Sequence, residues 1–204
     1  MQIHFRSELE RKMLHISSIW MPAFLYFFPY WPSVIVFGSL FFIGVLVEIG
    51  FHKNWRPFHH IYKVTFGHIL RTKERGKDMH LSGGVFVLLA AFMCALFFSP
   101  EIGAMAMTVS LLADAMSGLI GRRFGKTRLC EGKSLEGSAA FLFTGLIVVT
   151  LFKAALNLPQ DMYALSIIAT VLSAVAELLS GKLRLDDNLT SALIFGITMS
   201  FFNY

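Results

Sequence analysis

The residues of this chain best suited to chemistry are concentrated between Leu111 and Ser138, in the stretch LLADAMSGLIGRRFGKTRLCEGKSLEGS. Asp114 sits inside an apolar run. A glycine-punctuated basic segment follows, with Gly118, Gly121, Arg122, Arg123, Gly125, Lys126 and Arg128. The stretch closes on Gly132, Lys133, Ser134, Glu136, Gly137 and Ser138, just before the next apolar run. Glycines allow a backbone to approach phosphate oxygens, and arginines and lysines neutralise phosphate charge. A helix that starts after Lys133, Ser134 and Glu136 aims its N-terminus at the same place, which also favours an anion. The spacing lacks the G-x-x-x-x-G-K-[ST] pattern, so this is not a P-loop. The glycines have a second reading as helix-packing positions, since Gly121 and Gly125 are four apart. An ionised Asp114 in a membrane segment costs about 2.5–3.5 kcal/mol on insertion scales. That cost points to a metal ligand or to a base near a substrate hydroxyl. The alternatives are an ion pair with a loop arginine or a hydrogen bond to a neighbouring helix.

The elements that position these residues are read from hydropathy. The chain has 204 residues, of which 55% are hydrophobic, and a mean hydropathy of +0.63. Its apolar residues lie in long blocks between short charged patches, a pattern of polytopic membrane proteins and not of soluble cores. We expect an all-α polytopic membrane protein forming one integral domain over residues 1–204. Seven segments are predicted, at Ile16–Phe28 (continued by Tyr30 and Trp31), Ser33–Phe51, Leu81–Phe98, Ile102–Ile120, Ser138–Leu156, Met162–Leu179 and Leu189–Phe202. Several are shorter than the ~20 residues that cross a typical bilayer. Between the second and third, Trp55, Phe58, Tyr62, Phe66, Ile69 and Leu70 fall near helical spacing amid basic residues. This predicts an amphipathic helix in the headgroup plane, serving either as a surface anchor or as a gate for a lipid.

Seventeen of the 18 lysines and arginines fall on one side of this seven-segment arrangement, Lys153 being the exception. The positive-inside tendency then predicts a cytoplasmic N-terminus and a C-terminus across the membrane. Eleven of the 13 acids, all but Glu101 and Asp161, and all seven histidines fall on that same side or at the segment ends facing it. The chemistry is therefore expected at the cytoplasmic face. Cys94 and Cys130 give neither a disulfide framework nor zinc spacing. The charged start MQIHFRSELERKM, with no A-x-A-like site after the first apolar run, predicts a retained N-terminus.

Beyond the loop, Asp186 and Asp187 stand at the entrance to the last segment, where plain helix N-capping is the competing reading. Glu48 and Glu177 end the second and sixth segments. Glu177 reads as a metal ligand or a support for one, and Glu48 equally well as that or as half of an ion pair.

DAMSGLIGRRFGK followed by GKSLEGS resembles the loop of the polyprenol kinase family, which includes dolichol, phytol and CTP-dependent diacylglycerol kinases. Arg11-Lys12-Met13-Leu14-His15 is similar to the family's N-terminal Arg-Lys-x-x-His, and Asp186-Asp187-Asn188-Leu189-Thr190 to its Asp-Asp-Asn-x-Thr. The related CDP-diacylglycerol synthases share an Asp-Gly-Lys region, but their glycine- and aspartate-rich C-terminal signature has no counterpart here. The resemblance spans nearly the whole chain, and the compact length is closest to the phytol and diacylglycerol kinase branch. It implies transfer of the γ-phosphoryl group of CTP, or of another nucleoside triphosphate, to a lipid alcohol at the cytoplasmic face, with Mg²⁺ as cofactor. On this reading the catalytic candidates are Asp114, Lys133, Glu136 and Asp187. The nucleotide- or phosphate-binding candidates are Gly118, Gly121, Arg122, Arg123, Gly125, Lys126, Ser134 and Gly137, with Lys12 and His15. The metal candidates are Asp114, Glu177, Asp186 and Asp187. The expected partners are a nucleoside triphosphate, a lipid alcohol and membrane lipids, not nucleic acid. A cytidylyltransferase on the same scaffold, a small proton- or ion-coupled transporter using Asp114, and a non-catalytic scaffold are the competing functions.

Overall fold

The computed structural model describes residues 5–53, 55, 81–129, 132–183 and 185–201. The regular structure of these residues is eight helices: α1 Phe5–Ser17, α2 Trp20–Phe27, α3 Tyr30–His52, α4 Gly83–Phe97, α5 Pro100–Phe124, α6 Leu135–Leu156, α7 Gln160–Ser180 and α8 Asp187–Ser200. The amphipathic helix predicted between the second and third segments lies outside the described residues.

Four of the helices, α3, α5, α6 and α7, are long and apolar enough to cross a membrane. Of the remaining segments, the first is broken, the third is shorter than the hydropathy pattern predicts, and the seventh keeps its predicted length but starts two residues earlier. Residues 18–19 break the first into α1 and the eight-residue α2, and the predicted third and seventh segments become α4 and α8, of 15 and 14 residues. The break follows from local chemistry. Ser17 and Ser18 both turn their hydroxyls back onto the Leu14 carbonyl, competing with the helical ladder at that point.

Helix α5 is the central post. In its most apolar stretch 72% of residues are buried inside the protein, against 22%, 28% and 33% in α3, α6 and α7. It packs against α1, α2, α4, α6 and α8, while α3 rests on α4, and α7 on α6 and α8. Small residues make this possible. Ala104, Ala106, Ala113, Ala115 and Gly103 on α5 are buried, and Gly103 lies close to the Cys94 backbone of α4. Without a hydrophobic driving force between helices in lipid, close backbone approach and interhelical hydrogen bonds hold such a bundle together. Ser110 supplies one, donating to the Asn188 carbonyl at 3.0 Å and pairing with the Ser191 hydroxyl at 2.7 Å. Ser173 on α7 donates to the Ser191 carbonyl at 3.0 Å. Helices α5, α7 and α8 are thereby tied together beside the candidate site.

Candidate functional site

Three acids from three different helices meet at one end of the bundle. Asp114 comes from α5, Glu177 from the last turn of α7 and Asp187 from the first turn of α8. One carboxylate oxygen from each lies within 4.8 Å of the others. Asp114 and Glu177 are buried, at 4% and 3% exposure, so their charges need partners. Two lysines supply them. Lys12 Nζ lies 2.6 Å from Asp114 Oδ2 and also donates to the Asp114 carbonyl at 3.0 Å. Lys133 Nζ lies 2.6 Å from Glu177 Oε1 and 3.5 Å from Asp187 Oδ2, and it donates to the Glu177 carbonyl. Ser180 and Ser117 complete the setting: Lys133 Nζ is 3.3 Å from Ser180 Oγ, and Ser117 Oγ donates to Glu177 Oε1 at 3.4 Å. Glu177 Oε2 is buried and has no hydrogen-bond partner among the described residues.

His15 stands beside Asp114, its Nε2 3.3 Å from Oδ2. The direction is wrong for a hydrogen bond, and Nε2 has no hydrogen-bond partner among the described residues. Burial pushes the imidazole down to about 4, overcoming the upward pull of Asp114, with Lys12 adding to the downward push. His15 is therefore neutral at pH 7.

The loop between α5 and α6 explains how Lys133 reaches α7. It folds back on itself: Leu129 N–H donates to the Lys133 carbonyl and Leu135 N–H to the Thr127 carbonyl, both at 2.9 Å. Arg128 and Ser134 bridge the two sides. Gly132 makes the reversal in the left-handed region, with φ of +86°, where a side chain is disfavoured. The Glu136 carboxylate accepts from Thr127 N–H at 3.2 and 3.4 Å. Ser134 caps α6 by accepting from Gly137 N–H at 3.1 Å, satisfying one of the free donors at a helix start.

The sequence-predicted residues thus separate into groups. Asp114, Glu177, Asp187, Lys12, His15 and Lys133 converge. Glu136 holds the loop's shape instead of facing the three acids. Asp186 is the N-cap of α8, its Oδ1 accepting from Asn188 N–H and Nδ2, each at 3.0 Å. Gly121 and Gly137 are where α5 and α6 cross: a Cβ on Gly137 would lie 3.2 Å from Gly121 Cα and 3.0 Å from the Ser117 carbonyl. The packing reading of the glycines therefore describes these two. A Cβ on Gly125 would collide with the Gly121 carbonyl and the Ser134 side chain. Gly118 is half-buried one turn beyond Asp114, and Arg122, Arg123 and Lys126 are exposed around the loop, Arg123 lying over the Phe124 ring at 5.3 Å. Glu48 is buried at the end of α3 and takes the Ser82 N–H on both oxygens at 3.0 Å, joining α3 to the start of α4.

Ser110, Ser117 and Ser180 are missing from the sequence reading. A signal for them exists. Ser110, Asp114, Ser117 and Gly121 recur at helical spacing on α5, as do Thr170, Ser173, Glu177 and Ser180 on α7, each marking one polar stripe.

The chain is similar along its full length to a protein of Rickettsia prowazekii (strain Madrid E) described as "Uncharacterized protein RP860". The two are 26% identical over 200 residues, covering 98% of this chain and 97% of the relative. No protein-family model matches the chain, and no solved structure matches it.

Proposed function

We propose that this protein is a lipid kinase that moves the γ-phosphoryl group of CTP, or of another nucleoside triphosphate, onto a membrane-embedded alcohol. One observation carries the reading: Asp114, Glu177 and Asp187 gather within 4.8 Å, and Lys12 and Lys133 each reach one of these acids at 2.6 Å. Phosphoryl transfer asks mainly for positioning and charge neutralisation, and this cluster holds both signs of charge at the end of an apolar bundle.

Hard oxygen donors of this kind suit Mg²⁺, which binds through one or two carboxylates plus phosphate oxygens. The unpartnered Glu177 Oε2, buried beside Asp114 and Asp187, fits such a cation. Asp114, Glu177 and Asp187 would hold it, and when bound it would draw negative charge from the phosphates. The remaining chemistry belongs to the chain. Lys133 and Lys12 turn from the carboxylates to phosphate oxygens as the nucleotide arrives. The alcohol oxygen attacks the γ-phosphorus, the bond to the β-phosphate oxygen breaks, and the nucleoside diphosphate leaves. The alcohol proton passes to a carboxylate of the cluster or to water. Arg122 and Arg123, exposed in the last turn of α5, and Lys126 on the loop raise the local concentration of the anionic nucleotide.

The same reading sets the topology at seven crossings with a cytoplasmic N-terminus and a cytoplasmic active site. The support is the 17 of 18 basic residues on one side. The first crossing then runs through the end of α1, α2 and the residues around them, and the short α4 and α8 cross with help from their flanking residues and local thinning of the bilayer.

The test is purified protein with Mg²⁺, γ-labelled CTP, ATP or GTP, and a panel of farnesol, geranylgeraniol, phytol, undecaprenol and diacylglycerol. Labelled lipid phosphate with release of the nucleoside diphosphate supports the kinase. Release of pyrophosphate would instead assign the cytidylyltransferase reaction, and no transfer to any alcohol would overturn both.

A further inference from the structure

Beside the acid cluster lies a partly open cavity of about 460 Å³, walled by α1, α2, α3, α4 and the start of α8. Its volume is in the range of pockets that bury a drug-sized molecule. The wall is mixed in character. The polar lining residues include Arg11, His15, Glu48, Ser82 and Asn188, of which His15 and Asn188 adjoin the acid cluster, and Met21, Gly44, Val47, Val87 and Leu88 are among the apolar ones. Two buried polar atoms belong to residues lining the cavity and have no hydrogen-bond partner among the described residues: His15 Nε2 and Asn188 Oδ1. Each normally demands a partner. His15 is the residue whose Nε2 lies 3.3 Å from Asp114 Oδ2, and Asn188 directly follows Asp187.

We propose that this cavity is the acceptor-substrate site: the apolar chain of a single-chain lipid alcohol lies between α3 and α4, with its hydroxyl at His15 and Asn188. The assignment rests on the kinase reading for its purpose but not for its geometry. A hydroxyl is the small group that can donate and accept, so it satisfies an amide oxygen and an imidazole N–H alike. Placed there, it stands next to the carboxylates that would hold a nucleotide-bound cation. In this assignment a chain already dissolved in the bilayer enters beside α3, the least buried of the four long apolar helices. A single chain suits the wall better than a glyceride. The ester carbonyls of a glyceride need donors along the chain, yet in the stretch from Ser17 to Leu88 the Ser17 and Ser18 hydroxyls are spent on the Leu14 carbonyl and the Ser82 N–H on Glu48, and the Arg11 guanidinium is the cationic exception in the wall.

The experiment is photocrosslinking of the full chain in phosphatidylcholine vesicles with a diazirine-bearing farnesol, without nucleotide, followed by peptide mapping. Labelling of α3 and α4 near Val47 and Leu88, displaced by geranylgeraniol and not by dioleoylglycerol, is the expected result. Gly84→Leu supplies the variant, since a Cβ at Gly84 meets nothing closer than Ser82 Oγ at 3.7 Å and the larger side chain has room to enter the cavity. It should cut labelling about tenfold with an unchanged melting temperature. Labelling confined to the outer faces of α6 and α7, or unaffected by Gly84→Leu, overturns the assignment, and displacement by dioleoylglycerol overturns the single-chain claim. Because crosslinking needs no turnover, labelling here without any lipid phosphorylation would retain the site and remove the kinase. Phosphorylation with labelling elsewhere would do the reverse.

Discussion

Lys12 and Asp114 are 102 residues apart in sequence, yet the Lys12 ammonium lies 2.6 Å from the Asp114 carboxylate, and both side chains are almost wholly buried. This contact docks α1 onto the central helix, and it sets the charge of the site. Removing one partner leaves the other charged without compensation in a low-dielectric interior. Lys12→Met should destabilise the fold by about 3–5 kcal/mol, and the double variant Lys12→Met/Asp114→Asn should recover a large part of the loss. Thermal melts of the two singles and the double in detergent give the coupling. Additive losses would show that the pair does not hold the helices together.

Asp114→Asn by itself tests the chemistry. The amide keeps the shape, so insertion should persist, although the charge left on Lys12 lowers the melting temperature and activity must be read below it. Lipid phosphorylation should fall by at least about a hundredfold, the scale of losing one charge-stabilising group. Wild-type turnover in this variant would remove Asp114 from the mechanism.

Lys133→Ala separates nucleotide from metal. The nucleotide KM should rise, since a phosphate-neutralising ammonium is gone. Binding of Mn²⁺ without nucleotide, followed by its electron paramagnetic resonance signal, should tighten instead, because Glu177 and Asp187 lose the cation that faces them at 2.6 and 3.5 Å. An unchanged KM together with unchanged Mn²⁺ affinity would count against both roles.

The adjacent acids Asp186 and Asp187 should respond differently. Asp186→Asn retains a side-chain oxygen for the α8 cap and should change stability by only a few tenths of a kcal/mol. Asp187→Asn removes one of the three convergent carboxylates and should lower kcat strongly while leaving the melting temperature nearly unchanged. Equal effects of the two on kcat would show that the site does not distinguish them.

Gly137→Leu tests the helix crossing. With Gly121 Cα and the Ser117 carbonyl already 3.2 and 3.0 Å from a Cβ at this position, α5 and α6 must separate, at a cost of roughly 1–3 kcal/mol or more. Since the pair carries both Asp114 and the root of the Lys133 loop, activity should fall with stability. A melting temperature equal to wild type would contradict the packing role.

Much of this was legible in the residues themselves. Long apolar blocks set the helical class because every backbone polar group in lipid must be satisfied within its own segment. The acid in an apolar run, the basic glycine loop and the Asp-Asn pair before the last helix marked the places where charge is too costly to be idle. Asp114 stands out as an acid inside an apolar run, Glu177 as an acid ending the sixth segment and Asp187 as one at the entrance to the last. Sequence could not pair them, because hydropathy orders segments along the chain without saying which helices touch. Tertiary packing decided that Lys12 meets Asp114 while Lys133 meets Glu177, that Asp186 caps a helix while Asp187 faces the site, and that Glu136 braces a loop. It also broke the first segment at residues 18–19, because two serines there compete locally for a backbone carbonyl, an effect that mean hydropathy averages away. Composition determined the solvent and the kind of element. Only the close approach of small residues around α5 determined which charges share one space.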